Sequence, residues 1–155
     1  MAALPHGILL ACALAVLAAL IHVQAAVDHL DEYAPYVVAF MVLAAGQTGW
    51  AVATYRSAGR SLLRTGVAAG GAVVLLWLVS RTVGLPVGPA QDSAEPVGLL
   101  GVVATLDELA VTALAVAALR ARDATRGAGG RMLIATGLGL IVLSTLVLAG
   151  GLHAH

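Results

Sequence analysis

The chain has 155 residues, of which 61% are hydrophobic and 10% charged, whereas a soluble domain carries about 25% charged residues and 45–50% apolar ones. Eight Arg balance eight Asp and Glu, with no Lys, and zero net charge excludes the strongly basic face of a nucleic-acid binder. Cys12 is the single cysteine, so an intrachain disulfide and a four-cysteine zinc site are both excluded.

A helix needs roughly 20 mostly apolar residues to cross a bilayer. About five stretches meet that requirement, near Gly7–Val27, Pro35–Tyr55, Thr65–Leu85, Val97–Leu119 and Met132–Leu152. The expectation is an all-α integral membrane helical bundle, a single transmembrane domain over 1–155.

Span one has no Arg or Lys before it and is too long for a signal-peptide core, so it is expected to be retained. It ends in a polar stretch holding His22, Asp28, His29, Asp31 and Glu32. On a continuing helix, Asp28 shares a face with Glu32, and His29 neighbours Glu32. His22 and His29 also share a face, but seven residues rise about 10.5 Å, too far to chelate one ion together. A chelate would therefore pair His29 with Glu32 or Asp28 and take its other ligands from elsewhere, with His22 a further candidate deeper in the span, at the entrance or as a metal ligand. Imidazole with carboxylate suits a divalent transition metal as cofactor. The plainer reading is a polar helix end in the headgroup region.

Span two begins at Pro35, a tolerated first-turn position. Gln47 and Thr48 near its middle are expected to bond across helices. Tyr33 and Tyr36 suit an interfacial aromatic belt, and Trp50 and Trp77 are expected to serve as filler. Span three carries Gly66 and Gly70 four apart, a spacing that lets helices approach closely, within the bundle or at a dimer face. Arg81 near its end is the one Arg outside the two basic links. It either snorkels to the interface or pairs with Asp107, Glu108 or the acid cluster after span one. The link Pro86–Pro96 favours turns and extended backbone.

Span four carries Asp107 and Glu108. Ten residues inward from Val97 is about 15 Å, near the bilayer midplane. Adjacent helical residues point about 100° apart, so at least one of the two should face the interior. Ionisable groups at that depth are rare and mark function. A proton relay, a cation site or a ligand site would all use them.

Arg56, Arg60 and Arg64 flank one link, and Arg120, Arg122, Arg126 and Arg131 another. By the positive-inside rule these ends are cytoplasmic. The amino terminus is then inside, the carboxyl terminus outside, and Asp28, His29, Asp31, Glu32, Asp92 and Glu95 lie on the outer face of the inner (plasma) membrane. His153 and His155 fall on that face too. Among known catalytic signatures, none of a phosphate loop, a nucleophile elbow, a zinc helix or a Cys-x-x-Cys pair is present. Only His22 is deep enough to hold a haem, and no second His matches it, so a b-type cytochrome is disfavoured.

The run Arg81-Thr82-Val83-Gly84-Leu85-Pro86-Val87-Gly88-Pro89, then Glu95-Pro96-Val97-Gly98, resembles a group of small multi-pass integral membrane proteins of actinobacteria. The resemblance covers about three spans. It extends to a polar His and acid stretch after the first span, here His22 to Glu32, and to an acid inside the span after the Gly-Pro loop, here Asp107-Glu108. The group has no assigned activity. The resemblance implies that Arg81, the loop and the acids form one site.

The leading expectation is a membrane protein that binds a cation or small ligand in its outer half, in transport or sensing. Asp107, Glu108, Arg81 and Gln47 would form a ligand or proton site, and His22, His29, Asp28 and Glu32 a metal site. The alternative is a structural subunit of a larger membrane complex or homo-oligomer, packed through Gly66, Gly70 and span five. A third is a membrane-embedded enzyme acting on a lipid or quinone, with the same acids and His as general acid and base.

Overall fold

The computed structural model describes residues 5–89, 91–123, 137, 139–141 and 144. The described residues form four helices: α1 (His6–Asp28), α2 (Ala34–Arg56), α3 (Arg60–Thr82) and α4 (Leu99–Asp123). Each is long and apolar enough to cross a membrane. The fifth predicted span, Met132–Leu152, lies almost wholly outside the described residues. So do Arg126, Arg131, His153 and His155.

The helices match their predicted spans, with two informative differences. α3 starts at Arg60, ahead of the predicted Thr65, and α4 runs on to Asp123, beyond Leu119. In both, the helix continues past its apolar stretch into polar sequence. Arg is a good helix former, and Arg120 and Arg122 in the last turn of α4 favour its negative dipole end. Residues 57–59 alone join α2 to α3.

Packing follows side-chain size. α1 is the central helix, with Ala11, Ala15, Ala18, Ala19 and Ala26 all buried, and small residues let neighbouring backbones come close. α1 packs along α2 on one side and α4 on the other, and α3 packs along α4. The order around the bundle is therefore α2, α1, α4, α3. α2 and α3 scarcely meet. They touch at the Arg56 end, where Trp50 Nε1 donates to the Leu62 carbonyl at 2.7 Å. A Cβ on Gly66 would sit 2.6 Å from the Trp50 ring. Gly66 and Gly70 are buried within the chain, so they are internal contacts of the bundle and not a dimer or partner face.

A tight apolar cluster of Ile8, Leu10, Leu14, Val111 and Leu114 fills the α1–α4 interface. Leu140 and Ile141 pack against it, and a Cβ on Gly137 would meet Leu10. The described residues of the fifth segment thus lie against α1 and α4. Large apolar side chains of α2 and α3 remain exposed, among them Val38, Val42, Leu75 and Leu76.

Candidate functional site

Where α2 and α3 part, a cavity of about 620 Å³ opens at the Asp28–Glu95 end of the bundle. All four helices line it. α2 contributes Tyr36, Phe40 and Leu43, and α3 contributes Trp77, Ser80 and Arg81. Spacings of three and four residues place each set on one helical face. α1 adds His22 and His29, and α4 adds Ala104 and Thr105. The wall is chiefly apolar, and its ionic groups gather at the rim.

The rim is built from the loop after α3. Gly84 and Gly88 have φ of +84° and +100°, a region glycine enters without steric cost. These turns fold the loop back across the bundle end. Glu95 N–H donates to the Ser80 carbonyl at 3.0 Å and Asp92 N–H to the Leu85 carbonyl at 3.0 Å. The Tyr36 hydroxyl donates to the Val87 carbonyl at 3.0 Å, fastening the loop to α2. Arg81 Nη1 pairs with Glu95 Oε2, and its guanidinium carbon lies 5.9 Å from the Trp77 ring centroid. Arg81 thus pairs with neither Asp107 nor Glu108. Its partner is the loop carboxylate, which the loop turns bring within reach.

The histidines of α1 are held by their own helix. His22 Nδ1 bonds the Ala18 carbonyl at 2.7 Å and His29 Nδ1 the Ala25 carbonyl at 2.7 Å. Both rings tilt against Phe40, at centroid distances of 5.9 and 5.3 Å. α1 ends at Asp28, so the acids after it leave the helical register. Asp28 accepts from Gln24 Nε2 at 2.8 Å. His29 Nε2 stands 3.7 Å from Glu32 Oε2. Of the four candidate metal ligands, only His29 and Glu32 are brought together. Among the described residues, no group of three or more His, Cys, Asp or Glu is placed to hold a metal ion.

The acid pair lies deeper. Glu108 is about 14 Å along α4 from Leu99 by rise per residue. Asp107 is 0% exposed and Glu108 4%, and each uses a different side of α4. Asp107 Oδ2 accepts from the Ser144 hydroxyl at 2.7 Å, on the side of the fifth segment. Glu108 Oε1 accepts from Gln47 Nε2, on the side of α2 and α3. Gly70 of α3 makes room here, since a Cβ there would sit 3.3 Å from Glu108 Oε2 and would overlap Thr112 Oγ1. No Arg of the described residues pairs with either acid. Gln47 shares a face of α2 with Phe40, whose ring lies 5.9 Å from that of His22. The α2 face that lines the cavity at Phe40 and Leu43 therefore continues through Gln47 to Glu108.

Asp107, Glu108, Gln47 and His22 are visible in the sequence as polar groups at membrane depth. Glu95, Ser144, Phe40 and Trp77 are not singled out there as site residues. The 36, 40, 43, 47 spacing on span two was the available signal for Phe40. No family model matches this chain, and neither a curated protein nor a solved structure is found to be similar to it.

Proposed function

We propose that this is a multi-pass protein of the inner (plasma) membrane that binds a small amphiphilic ligand in the cavity between α2 and α3, in transport or sensing. The amino terminus is inside and the cavity end is outside. Support for that orientation comes from charge: Arg56, Arg60, Arg64, Arg120 and Arg122 gather at one end, and Asp28, Asp31, Glu32, Asp92 and Glu95 at the other.

One observation carries the reading: a cavity of about 620 Å³ with an apolar wall and a polar rim. Ligand pockets run to roughly 300–1,000 Å³ and are mostly apolar, with few polar groups to orient the ligand. Where the helices part, the cavity faces the hydrocarbon. A ligand with an apolar body reaches it from the bilayer, while its polar group rests among Tyr36, His29 and the Arg81–Glu95 pair. That ion pair is internally neutral, which suits a neutral hydrogen-bonding head better than a bare ion.

The test is photolabelling with a fatty-acid methyl ester carrying a chain diazirine. Labelled peptides should come from the cavity faces of α2 and α3 around Phe40 and Trp77. Ala39→Phe with Ala104→Phe, which fills the cavity, should abolish that labelling and leave labelling of the exposed faces intact. Equal labelling of both proteins in the cavity peptides would defeat the proposal.

A further inference from the structure

We propose that Glu108 is an exchangeable proton-binding site whose proton is coupled to the contents of the cavity through Gln47 and His22. The coupling rests on the cavity reading above. The proton site itself rests on the acid pair.

The first observation is burial without a counter-ion among the described residues. Asp107 and Glu108 are 0% and 4% exposed, next to each other in mid-helix. Taking two like charges out of water without a cation costs far more than the available hydrogen bonds return. Carrying a proton removes that cost and needs no space. Among the described residues, the titratable or polar groups at Glu108 are Asp107 and Thr112 on α4 and Gln47 on α2. α3 brings Gly70 against Glu108.

The second observation is that the surroundings serve both protonation states. Gln47 Nε2–H donates to Glu108 Oε1. Thr112 Oγ1 is buried with no hydrogen-bond partner among the described residues. It shares with Glu108 Oε2 the space left by Gly70. A hydroxyl donates or accepts as required, so Thr112 can serve the carboxylate or the carboxylic acid.

The third observation is the link to the cavity. His22 lines it, and its Nδ1 is fixed on the Ala18 carbonyl, which directs the rest of the ring away from α1. The ring lies against Phe40, 5.9 Å between centroids, on the face of α2 that Gln47 shares seven residues on, and Gln47 Oε1 is buried with no hydrogen-bond partner among the described residues. A ligand pressing on His22 and Phe40 therefore acts on the α2 face that carries the amide donating to Glu108. By linkage, ligand occupancy changes proton affinity, and protonation changes ligand affinity by the same factor. Asp107 faces Ser144 on the other side of α4 and lies outside this line.

Infrared difference spectroscopy of the protein in nanodiscs, titrated with pH, tests the proposal. A protonated-carboxyl carbonyl band should appear and move with ¹³C-glutamate labelling, which needs no substitution. It should vanish in Glu108→Gln. Of the three Glu in the chain, Glu32 and Glu95 are the others, and Glu95→Gln should leave the band in place. Gln47→Leu and His22→Phe should each move its pH midpoint, by about one unit for the direct donor Gln47. A band insensitive to ¹³C-glutamate would overturn the proton site. A Glu108 band whose midpoint is the same in Gln47→Leu, His22→Phe and wild-type protein would overturn the coupling. Photolabelling of the cavity is scored separately, so loss of the ligand reading is distinguishable from loss of this one.

Discussion

Asp107 and Glu108 are neighbours in sequence, yet they serve different surroundings because a helix turns each residue by about 100°. The sequence made the pair visible as charge at membrane depth. It left open which acid faces the interior, and the structure answers that both do, toward different neighbours. Their partners, Gln47 and Ser144, come from distant segments, and no local spacing announces such pairings. Glycine roles have the same character. Gly66 could have served a dimer, but it admits the Trp50 ring. Gly66→Ala should therefore destabilise the monomer, by about 1–3 kcal/mol for overfilling a tight contact, read as a lower unfolding midpoint in detergent. An unchanged midpoint with loss of a dimer would contradict this.

Helices were legible as elements because apolar length sets a membrane span. Their ends were less legible, because α3 and α4 continue as helix through Arg-bearing sequence. The loop after α3 was read as turns, but its role as a rim depends on two contacts that cross the fold, Arg81 with Glu95 and Tyr36 with Val87. The Arg81 and Glu95 side chains are 19% and 22% exposed, between a surface pair worth up to about 1 kcal/mol and a buried one costing about 3–5 kcal/mol to break. Arg81→Ala should thus loosen the loop by roughly 1–3 kcal/mol. Hydrogen exchange at residues 91–95 should quicken, with exchange in the middle of α1 unchanged. Equal protection in both proteins would show that the ion pair does not hold the rim.

At the scale of the molecule, composition alone indicated a membrane bundle, and four helices of spanning length agree with it. The cavity was not legible. It arises because α2 and α3, joined by a short link, meet at one end through Trp50 and Gly66 and part at the other. The metal set expected at His22, His29, Asp28 and Glu32 is dispersed for a similar reason: α1 ends at Asp28, and each imidazole is tied to a backbone carbonyl of its own helix. Orientation is a property of the whole chain, and it predicts labelling. In a Cys12→Ala background, Asp92→Cys should react with a membrane-impermeant thiol reagent in intact cells, and Ser57→Cys only after lysis. The reverse pattern would invert the topology.

The central claim is that the cavity between α2 and α3 holds a small amphiphilic ligand. Native mass spectrometry of the protein released from its own membrane tests this most directly. The account predicts one bound small molecule per wild-type chain, absent from the Ala39→Phe and Ala104→Phe double variant. A wild-type chain that flies without adducts under conditions that preserve lipid binding, or adducts identical in both proteins, would contradict it.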